Sequence, residues 1–224
     1  MRNILVSVLM LFMIFSCSFN TVKQGFGLLG RKRVLLPLLK HDIFMIYLPE
    51  EKSFMVNDKI TVDRESVKDY EKGLFAIDKN INLERIIVDK KIVEVDKFIT
   101  MREGYLGRNL SPEQTYKFLK KNDVYEIVLT EYNPEKKEIE IIVKYDFNDS
   151  DEFDFLTIRG NRIEIKNIAY WFPSDLSGGR SIHFAIEAPK RFYFTINGTE
   201  AEEKILKKHL KRSVFNFVSE ESDI

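Results

Sequence analysis

The chain has 224 residues, with 35 basic and 35 acidic side chains and one cysteine. Balanced charge excludes the global positive field that captures nucleic acid, and a lone thiol excludes an intramolecular disulfide. With 44% apolar and 31% charged residues, the composition is that of a folded globule and excludes a disordered body.

In chain order, Arg2 precedes an apolar run from Ile4 to Phe15 that is broken only by Ser7. At the helical rise this run reaches about 18 Å, short of the ~30 Å hydrocarbon layer, so it reads as a secretory leader rather than a membrane span. Ile14 stands three positions before Cys17 and Ser16 directly before it. This arrangement resembles the signal peptide and lipobox of bacterial lipoproteins. Phe15 departs from the usual small residue, a looser version that spirochaetes tolerate, and the Lys/Ile/Phe/Asn-rich body is similar to products of an AT-rich spirochaete genome. The resemblance implies a leader over 1–16, a diacylglycerol and fatty acid such as palmitate on Cys17, and a lipidated tether over 17–33. One domain then fills 34–224. Each buried methylene contributes about 0.8 kcal/mol, so two or three acyl chains anchor a protein to its membrane essentially permanently. The resemblance places the protein in the cell envelope, at the outer membrane in preference to the inner, since Ser18 is not the aspartate that signals retention.

The body reads as short strands bounded by polar turns. Ile43–Leu48 is a buried strand ended by Pro49, and Lys59–Val62 a short one. Val67, Tyr70 and Leu74 fall at helical spacing. Arg85–Val95 reads as two strands about Asp89-Lys90-Lys91. Val124–Thr130 and Ile139–Tyr145 predict a hairpin through Asn133-Pro134. Gly160-Asn161 predicts another between 153–158 and 162–168, and Ala188-Pro189-Lys190 a third between 182–186 and 192–196.

Two helices carry start signals. Ser111-Pro112-Glu113-Gln114 places a cap and a first-turn proline before a helix to Lys121. Thr199 and Glu202 form a second capping box, beyond which Leu206, Leu210, Val214 and Phe217 make one apolar stripe among lysines. The expected fold is therefore α+β: a mainly antiparallel sheet built from hairpins, with two or three helices including an amphipathic C-terminal one.

Motifs for chemistry are sparse. His41, His183 and His209 have no second His or Cys at metal-ligand spacing. His41 adjoins Asp42, but sequence neighbours rarely orient each other as a catalytic dyad, and Gly-x-Ser-x-Gly is absent. The acidic stretch from Asp146 to Asp154 lacks the EF-hand glycine and final glutamate. It reads as a solvated loop, in which Asp146, Asn148 and Asp151 are the residues an irregular calcium site would use. Tyr170, Trp171 and Phe172 precede the glycine-rich loop holding Arg180, a composition enriched at binding hot spots.

The sequence thus predicts a lipid-anchored envelope protein with a non-enzymatic binding role and no cofactor. Its partners would be the bilayer through Cys17 and a protein or host ligand, not nucleic acid. The alternatives are a hydrolase-like envelope enzyme whose site only the fold assembles, and an assembly protein whose sheet edge receives a partner strand.

Overall fold

The computed structural model describes residues 33–93, 96–97, 113, 117, 120–129, 135–149, 153–166, 172–173 and 181–218. Cys17, the expected leader and all of the expected tether but Arg33 lie outside them.

The described residues form sixteen strands in three sheets. The largest has eight, made from β2 (Leu38–Leu48), β3 (Ser53–Asp63), β5 (Asn82–Val88), β6 (Lys91–Val93), β9 (Glu138–Asn148), β12 (Ser181–Pro189), β15 (Glu202–Lys207) and β16 (Leu210–Val218). Their spatial order is β15-β16-β12-β2-β3-β9-β5-β6. A four-stranded sheet orders β1 (Arg33–Leu35), β4 (Lys72–Asp78), β8 (Asn122–Val128) and β7 (Asp96–Lys97) as β1-β4-β8-β7. The second small sheet runs β10 (Leu156–Arg159), β11 (Arg162–Ile165), β13 (Tyr193–Ile196), β14 (Thr199–Glu200) in that order. Among the described residues, three pairings are parallel: β1 with β4, β11 with β13, and β12 with β2.

The fold is therefore built almost wholly of strands, and the α+β expectation is corrected. The predicted C-terminal helix is the hairpin β15–β16, paired antiparallel. Leu210, Val214 and Phe217 share a helical stripe on paper, but the chain alternates, sending Lys211, Ser213 and Phe215 inward. Asn197 and Gly198 both have positive φ (50° and 75°), and they turn β13 into β14 where a helix cap was expected. The stripe through Val67 and Leu74 reduces to a single helical turn, α1 (Arg64–Val67), after which Leu74 enters β4. Asp63 caps that turn by accepting from the Glu65 amide at 3.3 Å. Of the helix expected up to Lys121, the described residues Glu113, Lys117, Lys120 and Lys121 are helical.

Two expected hairpins are also corrected. β8 and β9 are both strands, but they belong to different sheets, as do β12 and β13. The Gly160-Asn161 turn does join β10 to β11 as expected.

One core lies between the inner face of the large sheet and the two small ones. Alternation along β2, β3 and β9 sends every second residue into it. Tyr47, Phe54 and Phe147 occupy one register row and stack in sequence, with centroids 4.5 and 4.9 Å apart. Such pairs contribute about 0.5–1.5 kcal/mol each beyond their burial. Phe192 and Phe194 meet Tyr47 edge-on, and Phe153 and Phe155 meet Phe147, tying the second small sheet and its lead-in to this ladder. On the other small sheet, a Cβ at Gly73 would run into the buried Leu36 side chain, which would have to shift to admit it. Leu36 also donates its amide to the Leu74 carbonyl, so β1 presses closely along β4.

Candidate functional site

The large sheet has one covered face and one open face. On the open face, register places residues in rows across the strands. Glu187, Ile46, Met55 and Asp146 form one row, and Ala185, Phe44, Asn57 and Lys144 the next. Phe44, Ile46 and Met55 floor a hollow of about 540 Å³, with Glu51, Lys144 and Asp146 among its charged rim. Met55 is 49% exposed, high for a large apolar side chain at the middle of a sheet. The Arg212 guanidinium lies 5.6 Å from the Phe44 ring centroid and pairs with Glu187, closing one side. Asn57, also lining the hollow, keeps its buried Oδ1 without a hydrogen-bond partner among the described residues. An apolar floor with a mixed-charge rim can hold an amphiphilic surface.

The third row contains His183, Asp42 and Lys59. His183 Nδ1 lies 2.7 Å from Asp42 Oδ1, and Lys59 pairs with Glu140 at 2.6 Å. The carboxylate can only accept, so the imidazole donates. Alternation explains why Asp42 meets His183 and not its neighbour His41: adjacent side chains point to opposite faces. His41 turns inward and donates from Nδ1 to Asp58 Oδ2 at 2.8 Å, with both side chains fully buried. Asp58 faces Ile43 in register, so this contact is diagonal. Tyr145 lies on the next diagonal position of β9, and its Oη, like His41 Nε2 and Asp58 Oδ1, lacks a partner among the described residues. Burial, and then the Asp58 charge, push the Tyr145 hydroxyl well above the usual tyrosine range. Burial and donation to Asp149 at 2.8 Å raise Tyr47 in the same direction.

The structure describes some of the residues singled out by sequence. Phe172 is 1% exposed and meets His41 edge-on at 5.1 Å, so it is core packing rather than a presented contact. Tyr170, Trp171 and Arg180 lie outside the described residues. Asp146 and Asn148 are strand residues of β9, not members of a cation-wrapping loop; Asp146 accepts from Asn82 at 2.9 Å. Asp151 lies outside the described residues. Among the described residues no group of three His, Cys, Asp or Glu is placed to hold a metal ion. His209 sits exposed in the turn between β15 and β16, and no helix carries it. Sequence reasoning missed the open-face hollow. Its signal was the outward phase of β2 and β3, where Phe44, Ile46 and Met55 stand in place of the polar residues such a phase normally carries.

No protein-family model matches this sequence, and no curated protein does. Solved structures do resemble it. Legionella pneumophila aminopeptidase A, in complex with aspartic acid, is 10% identical with a TM-score of 0.54, covering 80% of this chain and 19% of that one. Yeast LTA4 hydrolase in complex with bestatin is 7% identical with a TM-score of 0.47, covering 79% of this chain and 26% of that one. This chain spans about a fifth of the Legionella protein's length, and the likeness between the two is one of fold.

Proposed function

We propose that this chain is a lipid-anchored, non-enzymatic binding protein of the bacterial cell envelope. Fatty acid on Cys17 holds it at the membrane, and the open face of the large sheet receives a protein partner. The observation supporting the second part is the hollow floored by Phe44, Ile46 and Met55, an apolar strip on the open face of the sheet. The peptidase activity named for the Legionella protein does not carry over, because the likeness covers a fifth of that chain at 10% identity.

A photo-crosslinking residue placed at Met55 in cells tests the binding face, with the exposed Lys117 as the control position. A discrete adduct at 55 and none at 117 is expected, and Met55→Glu introduced in trans should compete less well for it. Equal or absent adducts at both positions would overturn the open-face reading. For the anchor, Cys17→Ser is expected to move the protein from the detergent phase to the aqueous phase on partitioning. A variant that stays with detergent removes the lipidation.

A further inference from the structure

A second concavity, of about 940 Å³, lies against the outward side of the small sheet β10-β11-β13-β14, with Ala201 and Glu203 of the β15 segment along its border. Two rows of side chains line it. In the first, Arg159 faces Arg162 across β10 and β11, and Arg162 faces Tyr193 on β13. In the second, Thr157, Glu164, Thr195 and Glu200 follow one another across four strands.

Three features of these rows bear on a ligand. First, like charges placed directly opposite in an antiparallel pair cost stability, and Arg159 and Arg162 make no ion pair among the described residues. Glu164 and Glu200, in the adjacent row, make none either. Donor-only and acceptor-only groups thus stand side by side, none of them ion-paired among the described residues. Second, Tyr193 is 57% exposed, and its ring is held from one side: the Lys211 ammonium, itself only 2% exposed, lies 4.3 Å from the ring centroid and pairs with Glu203. The ring is a fixed platform with free surface. Third, the volume falls in the ~300–1,000 Å³ range of small-molecule sites.

A phosphate or sulfate suits the two arginines but not the carboxylates of Glu164, Glu200 and Glu203 in the same space. A hydroxyl suits both, because it donates to a carboxylate and accepts from a guanidinium. A pyranose ring also offers a flat, apolar C–H face of the size of the Tyr193 ring. We propose that this concavity is a saccharide-binding site for a neutral or amino-sugar pyranoside chain. Tyr193 is the stacking platform, and Arg162 and Glu164 hydrogen-bond adjacent hydroxyls. The site is separate from the open-face hollow and does not depend on it.

The test uses the purified full chain on a glycan array spanning neutral, amino-sugar and acidic oligosaccharides, followed by calorimetry with the best retained soluble oligosaccharide. Retention of neutral or amino-sugar chains is expected. Loss of the platform in Tyr193→Ala should weaken binding about tenfold, while Tyr193→Phe stays within about twofold. Arg162→Ala and Glu164→Ala should each cost about tenfold or more, as hydrogen bonds to charged groups do. These residues lie on the outward face, so circular dichroism melts are expected to match the parent chain. No retained glycan, or a Tyr193→Ala variant that binds as tightly as the parent, would overturn the proposal. So would binding confined to acidic glycans and displaced by inorganic phosphate, which would make the pair Arg159–Arg162 an anion site.

Discussion

Two histidine–aspartate pairs lie on opposite faces of the same sheet, at nearly the same separation. His41 and Asp58 are 2.8 Å apart with side chains 0% exposed, whereas His183 and Asp42 are 2.7 Å apart at 40% and 53% exposure. His41 and Asp42 are neighbours in sequence, but the pleat assigns one residue to each face. The open-face pair keeps water around it and gains little from its contact. The buried pair has given up water on both sides. It retains one hydrogen bond, and His41 Nε2 and Asp58 Oδ1 have no partners among the described residues. Identical chemistry thus carries very different energetic stakes, set by which side of a strand it occupies.

The largest effect should come from breaking the buried pair. Asp58→Ala leaves His41 without its acceptor among Phe172, Ile182 and Ile60, and a buried donor left unsatisfied costs about 1–3 kcal/mol. Urea denaturation of the variant is expected to show that loss. Replacing both members, His41→Leu with Asp58→Val, should recover most of it, since apolar pairs of similar volume are neutral or better at buried sites. A double variant no more stable than Asp58→Ala would mean that the pair sets the packing of β2 on β3 rather than merely surviving it.

The two faces were also unequally legible in the sequence. Strand positions with clean alternation, such as 139–145 and 43–48, could be read directly. The stretch 53–58 could not, because Asp58 occupies an inward position and, beside Asn57, imitates a turn. Lys211 and Ser213 spoil the inward phase of β16 in the same way, leaving the helical stripe through Leu206 and Val214 as the more regular pattern. Nor does the turn that reverses β15 announce itself: Lys208 and His209 take it without positive φ, so no glycine or asparagine marks it. β4 is buried along Gly73–Ile77, and a continuous apolar run does not distinguish strand from helix. Pairing was the least legible. β12 lies parallel to β2, matching Ser181 with Lys40, and no local pattern encodes a partner so distant. The candidate site suffered from this most, since its rows exist only once those strands are neighbours.

Tyr145 tests the covered face at an intermediate scale. Its Oη has no partner among the described residues, so Tyr145→Phe is expected to leave neutral-pH stability within about 1 kcal/mol of the parent. The pH dependence should be more revealing. Tyr145 is raised well above its ordinary value in the fold, and Tyr47 is raised too. The unfolded chain therefore loses these protons first, as pH passes the ~10 of a free tyrosine, while the folded chain keeps them. Stability contributed by the two hydroxyls is full below about pH 10 and falls above it. Denaturant midpoints measured from pH 8 to 11 should show that decline, and it should be shallower in Tyr145→Phe. An unchanged slope would place the alkaline sensitivity elsewhere.

The smallest effect belongs to the exposed pair. His183→Ala or Asp42→Ala removes one member of a contact that water already surrounds, and such pairs are worth about 0–1 kcal/mol. Either variant should therefore melt close to the parent, and any difference should shrink in molar salt, where exposed charges are screened. Asp42 also faces Lys59, which is already paired with Glu140, so the freed carboxylate has a cation across the strand to turn toward. A loss of more than about 2 kcal/mol in Asp42→Ala, persisting in salt, would exceed what a solvated pair supplies. It would show that the open face is covered in solution, since only the removal of water could give this contact the weight of its buried counterpart.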